Sequence, residues 1–226
     1  MDTLTLCNFK CSEYQLETWI MTAIVRGIRN LYLELKLDTI PRSFFNCKTI
    51  VDLKIDNNRA PLSAVDNVYL PSLKKFYVFN VVCENDDALP RFLSGCPSLE
   101  ELNMKFTFVD EHDYVDCINI SSPTMKTLEL DIDRSSGSNI EYRITINAPA
   151  LRYLQVDEYA LECITIPITM ISLVEAEIQL ENNSLLHLKA NYNSTVVKFL
   201  HSLRYVKCLM ISVWEFEEVC FDSSVS

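Results

Sequence analysis

The chain has 226 residues, of which 49% are apolar and 23% charged, enough to build a substantial core and too apolar for extended disorder. Its formal charge of −11 excludes a sequence-independent grip on nucleic acid, which needs surplus lysine and arginine to displace counterions. The same charge argues against an anionic membrane surface and favours a basic protein or peptide as partner. Residues 1–10 lack a basic start followed by an apolar stretch, so no secretory leader is expected. No apolar run approaches the ~20 residues that span a bilayer. The nine cysteines are odd in number and none forms C-x-x-C, which opposes a zinc site and a disulfide framework. Buried free thiols in the cytoplasm or nucleus are the expectation.

In chain order, Leu4–Phe9 alternates as a strand. A helix is expected over Glu13–Val25, because Leu16, Trp19, Ile20, Ala23 and Ile24 form one apolar stripe. Ser12 with Gln15 matches a capping box, and Gly27 stands where a left-handed residue would end the helix. A strand follows over Asn30–Leu35. Shorter helical turns are expected at Pro41–Phe45, Leu89–Ser94 and Thr195–His201. Other connectors, such as Ser135–Asn139, read as loops or hairpin-like extended segments, and the tail from Glu215 as a partial unit or a frayed end.

A short apolar pattern runs through this order: an origin residue, a second three later, a third two after that. It reads Ile28-Leu31-Leu33, Ile50-Leu53-Ile55, Leu73-Phe76-Val78 and Leu99-Leu102-Met104. It continues as Met125-Leu128-Leu130, Leu151-Leu154-Val156, Leu173-Ala176-Ile178 and Leu203-Val206-Cys208. The origins are 22, 23, 26, 26, 26, 22 and 30 residues apart, close to the spacing of leucine-rich repeats. Pro71, Pro97, Pro123 and Pro149 each stand two residues before an origin, where a missing N–H stops one segment and starts the next. Residues two apart share one side of a strand, and a lone unit cannot bury that side. The expected fold is therefore α/β: a leucine-rich-repeat solenoid, a right-handed horseshoe with a parallel sheet and irregular outer helices and loops. One domain over residues 1–226 is expected, with about eight units and residues 212–226 fraying.

Positions two, four and six after each origin would line the open face of the sheet, where solenoids bind partners. Nine of these 24 residues are acidic, four are lysine and five aromatic. Tyr77, Phe79, Glu101, Lys105, Glu129, Asp131, Tyr153 and Asp157 are the candidate partner-binding residues, tyrosine among charges being suited to recognition. The C-terminal end, with Trp214, Phe216 and Phe221, lacks an evident polar cap and is expected to be prone to association.

Chemistry finds little support. The string Asp110-Glu111-His112-Asp113 reads as an acidic solvated loop, not a metal site. His187 and His201 have no acid and nucleophile at a recognisable spacing. Gly27, Gly95 and Gly137, the only glycines, cannot build a phosphate-cradling loop or the turns of an enzymatic β-helix. No catalytic residue, metal or cofactor is expected.

Trp19-Ile20, Ala23 and Arg26-Gly27, followed by Leu31, Leu33 and Leu35, resemble the start of the leucine-rich region in plant F-box/leucine-rich-repeat proteins. Leu93-Ser94-Gly95-Cys96-Pro97-Ser98-Leu99-Glu100-Glu101-Leu102 and Leu70-Pro71-Ser72-Leu73-Lys74-Lys75-Phe76 are similar to later elements of that family. The resemblance implies a substrate-recognition subunit of a Skp–cullin–F-box type ubiquitin ligase, with the repeats holding the target. It covers the repeat region alone, without the F-box or the C-terminal extension, so a Skp-type adaptor is implied only if an F-box stands upstream. A free-standing or receptor-like leucine-rich-repeat domain unrelated to ubiquitination is the alternative.

Overall fold

A computed structural model describes residues 2–7, 11–35, 41–57, 67–80, 86–107, 117–133, 143–158, 164–181 and 198–214. The Asp110–Asp113 string, Ser135–Asn139, His187 and the tail from Glu215 lie outside these residues.

Alternating apolar residues produce twelve strands among the described residues: β1 (Thr3–Cys7), β2 (Asn30–Leu35), β3 (Asp52–Asn57), β4 (Lys75–Phe79), β5 (Glu101–Thr107), β6 (Cys117–Ser121), β7 (Thr127–Asp133), β8 (Arg143–Asn147), β9 (Tyr153–Glu158), β10 (Ile164–Thr165), β11 (Glu175–Glu181) and β12 (Cys208–Trp214). Nine of them form one sheet in the order β1-β2-β3-β4-β5-β7-β9-β11-β12, every pair parallel. The register stacks the repeat on itself. Leu31, Leu53, Phe76, Leu102, Leu128, Leu154 and Ala176 form one inward row, and Leu33, Ile55, Val78, Met104, Leu130, Val156 and Ile178 the next. All fourteen are buried, as are the origins from Ile28 to Leu173. Burial of such side chains contributes roughly 1.5–3 kcal/mol each before entropy is set against it.

The backbone repeats as faithfully as the side chains. The carbonyls of Asp2, Arg29, Val51, Lys74, Glu100, Lys126, Arg152 and Val174 each accept two N–H groups from the next coil. Pro71, Pro97 and Pro149 occupy the second position of turns closed by Leu73 N to Leu70 O, Leu99 N to Cys96 O and Leu151 N to Ala148 O, each 3.1 Å. That is the position for which proline's fixed φ is already correct.

Helix α1 (Glu13–Val25) carries the expected cap: Gln15 N donates to Ser12 Oγ, and Ser12 N to Gln15 Oε1 at 3.1 Å. It buries Leu16, Ile20 and Ala23 and ends before Gly27, whose φ is +73°. Trp19, placed on the stripe by spacing, is 39% exposed. Ser43–Asn46 forms a 3-10 turn, helix α2 covers Ala88–Ser94, and residues 198–202 are helical. Phe92 meets Phe45 edge to face and stacks on Phe76, with centroids 6.0 and 4.5 Å apart, and ties these outer elements to the sheet.

One expectation is made specific and one is corrected. In the later units the outer connectors, read as loops or hairpin-like extended segments, include strands that pair in parallel. There β6, β8 and β10 form a second parallel sheet, with Ile118 beside Ile144, Ile120 beside Ile146 and Ile144 beside Ile164, all buried in the common core. The last unit also begins three residues later than Leu203. Arg204 N to His201 O and Val206 N to Leu203 O carry the helical turn onward, and Leu203 packs as a core residue four after Phe199. The strand pairs Cys208 with Glu175, Leu209 with Ala176 and Ile211 with Ile178, so its origin is Val206. Ser212–Trp214, expected at the fraying end, pair with Gln179–Glu181.

Candidate functional site

The outward residues of the nine-stranded sheet alternate with the buried rows, so their positions follow from the same register. With the last unit corrected, Cys208, Met210 and Ser212 replace Tyr205, Lys207 and Leu209 on this face. At positions two, four and six after each origin, β2 to β12 then carry nine acidic residues and three lysines, Lys54, Lys75 and Lys105.

Side chains of neighbouring coils hold one another. Lys75 Nζ lies 2.8 Å from Glu101, and Lys105 Nζ 2.6 Å from Asp131. Tyr77 donates its hydroxyl to Glu101, and the Asn103 amide donates to Glu129. Lys54 sits over the Phe79 ring, 5.6 Å from its centroid. Tyr77, Phe79, Glu101, Lys105, Glu129 and Asp131 therefore come together across β4, β5 and β7. Tyr153 belongs to a second group, with its hydroxyl 3.0 Å from Gln155 Oε1 and 3.3 Å from Glu177 Oε2. Asp157 is register-paired with Asp131 and exposed. A third group, Tyr32 donating to Asp52 at 3.1 Å, lies outside the candidate set. Its signal was present, since Tyr32 and Asp52 occupy the same outward positions as Tyr77 and Glu101.

The electrostatics separate these carboxylates. Burial pushes Glu101 upward, but its hydrogen bonds from Lys75 and Tyr77 outweigh that and leave its pKa below the usual range. Burial, then the charge of Glu101, raises Glu129, with the Asn103 amide acting the other way. Burial raises Asp52 as well. The Tyr77 and Tyr153 hydroxyls are pushed up to about 12, by burial first and by Glu101 and Glu177 next, so both remain protonated donors at neutral pH. Charge is also unevenly spread. The outward residues of β2–β5 mix four acids with all three lysines. Those of β7–β11 include Glu129, Asp131, Asp157, Glu175 and Glu177 and no cation.

Among the described residues no group of three His, Cys, Asp or Glu side chains is arranged to hold a metal ion. No helix among them is long and apolar enough to cross a membrane.

The family described as FBD-associated F-box protein At5g56370, LRR repeats, matches residues 16–219. The chain belongs to this family. The match begins within α1 and takes in the strands from β2 to β12. Relatives from Arabidopsis thaliana include the putative F-box/FBD/LRR-repeat protein At5g22670, 31% identical over 67% of this chain and 36% of the relative. The F-box/FBD/LRR-repeat protein At4g26340 is 28% identical over 93% of this chain and 47% of its own length. The F-box/LRR-repeat protein At3g59250 is 28% identical over 86% and 46%. The chain thus spans less than half the length of these relatives. No solved structure matches it.

Proposed function

We propose that this chain is the target-binding region of an F-box-type ubiquitin ligase and that the open face of its nine-stranded sheet holds the target. The observation that carries the reading is the outward Tyr, Asp and Glu groups from β4 to β11, set on a sheet whose other side is buried in the core from β2 to β11. Tyr77, Phe79, Glu101, Lys105, Glu129, Asp131, Tyr153 and Asp157 are its contact residues. The cation-free outward positions of β7–β11 favour a basic segment. The relatives' names print an F-box beside the repeats, which is why we place the chain in a ubiquitin-ligase context, and engagement of a Skp-type adaptor requires an F-box in the same polypeptide. Six free cysteines among the described residues support residence in the cytoplasm or nucleus, where thiols stay reduced. The module binds and does not catalyse.

The test is the double variant E129K/D131K, compared with wild type by quantitative affinity capture from plant extract and then by titration of the captured partner. Affinity is expected to fall by at least about tenfold, because reversed charge leaves the partner's cations facing lysines. Equal affinity with a normal melting curve would remove this face from the account.

A further inference from the structure

The two ends of the nine-stranded sheet are not alike. Inward residues three and five after the origin are buried in every coil from β2 to β11. On β12 the equivalent residues, Leu209 and Ile211, are 44% and 50% exposed. The segment Cys208–Val213 has neither a charge nor a proline, the usual protections of an edge strand. At the opposite end, Leu4 and Leu6 of β1 are half-buried. Among the described residues no strand pairs with the outer edge of β1 or of β12.

We propose that these ends are complementary, so that β12 of one copy of the chain receives β1 of a second copy and extends the parallel sheet. Three features select this occupant. The first is the repeated backbone contact. The carbonyl one residue after each origin from Ile28 to Leu173, and that of Asp2 before β1, takes two N–H groups of the next coil, and Lys207 occupies that position in the last coil. In the same geometry its carbonyl takes the N–H groups of Asp2 and Thr3 from the second copy.

The second feature is charge. Side chains at this position in neighbouring coils reach one another: Glu100 lies 3.3 Å from Lys74 and 2.8 Å from Lys126. Head-to-tail stacking sets Lys207 beside Asp2, an opposite pair in a column where opposite pairs already form. The third feature is the register. Thr3 falls beside Cys208, Leu4 beside Leu209, Thr5 beside Met210, Leu6 beside Ile211 and Cys7 beside Ser212. Apolar rows continue and no like charges meet. The contact is heterologous, so it propagates into chains or closes into a ring.

Sedimentation velocity over a concentration series tests this. Wild type is expected to shift from 26.0 kDa towards higher mass as concentration rises. L4K blocks one end and L209K the other. Each alone is expected to be monomeric while keeping the folded circular-dichroism spectrum, and an equimolar mixture to give a 1:1 dimer through the two intact ends. The fully exposed route to the same answer is charge exchange: D2K and K207D each weaken association by a few fold, and the double variant D2K/K207D restores it. A wild type that stays at monomer mass throughout, as when the edge is covered from within the chain, overturns the proposal. So does a mixture of L4K and L209K that stays monomeric, or a double variant no better than either single one.

Discussion

Glu129 illustrates how a side chain chosen for a face can cost the fold that carries it. Its carboxyl is raised by burial and by Glu101, so the folded chain holds the proton more tightly than the unfolded chain does. The charged form therefore opposes folding above the folded pKa, and that penalty disappears as pH falls towards the unfolded value. E129Q keeps an oxygen for the Asn103 amide and removes the charge. It is expected to raise Tm near neutral pH, with the gain vanishing below about pH 4, where ordinary glutamates protonate. Equal gains at both pH values in thermal denaturation would assign the effect to something other than this charge. Gly95 is constrained in a different way. A Cβ there would meet the Val68 carbonyl oxygen at 2.2 Å, while the Gly95 carbonyl accepts Leu70 N at 2.9 Å. G95A is expected to destabilise by about 1–3 kcal/mol, the usual cost of overpacking, measurable as a shifted urea midpoint. Spacing could not show this constraint, because Gly95 lies on the helical side of φ and the clash comes from a residue 27 positions away.

At the scale of elements, local signals worked where local forces decide. Ser12 and Gln15 specify where α1 begins, and Gly27 where it ends, because cap bonds and a left-handed φ involve neighbours in sequence. S12A removes one half of the capping box and is expected to cost about 1 kcal/mol, read in chemical denaturation. A loss near zero would mean that α1 is held by Leu16, Ile20 and Ala23 alone. The last strand shows the reverse case. Leu203-Val206-Cys208 and Val206-Leu209-Ile211 both fit the apolar pattern, and the pairing of Leu209 with Ala176 and of Ile211 with Ile178, after a helical turn that buries Phe199 and Leu203, decides between them. The outer sheet was legible in principle. Ile118-x-Ile120, Ile144-x-Ile146 and Ile164-x-Ile166 recur in step with the main pattern, but a two-residue alternation in a connector says nothing of its pairing until neighbouring coils stack.

Across the whole molecule, stacking turns a sequence pattern into a charge distribution. Lysines at Lys54, Lys75 and Lys105 temper one half of the open face, Lys105 reaches across to Asp131, and the outward positions of β7–β11 themselves carry acids and no cation. Binding of a basic partner there is expected to weaken as ionic strength rises, and E129K/D131K to flatten that dependence; a salt-independent Kd for wild type would place recognition on apolar contacts instead. The sequence by itself determined the solenoid, its coil length and the alternation that makes one side core and the other surface. Those follow from periodicity, and periodicity is a local property that each coil repeats. Tertiary structure decided which residues across coils are partners: Tyr77 with Glu101, Asn103 with Glu129, Lys105 with Asp131, and the register of the final strand. Partners from 24 to 26 residues apart meet only after the intervening connector has closed its loop, and a shift of three residues in one coil changes every contact that coil makes.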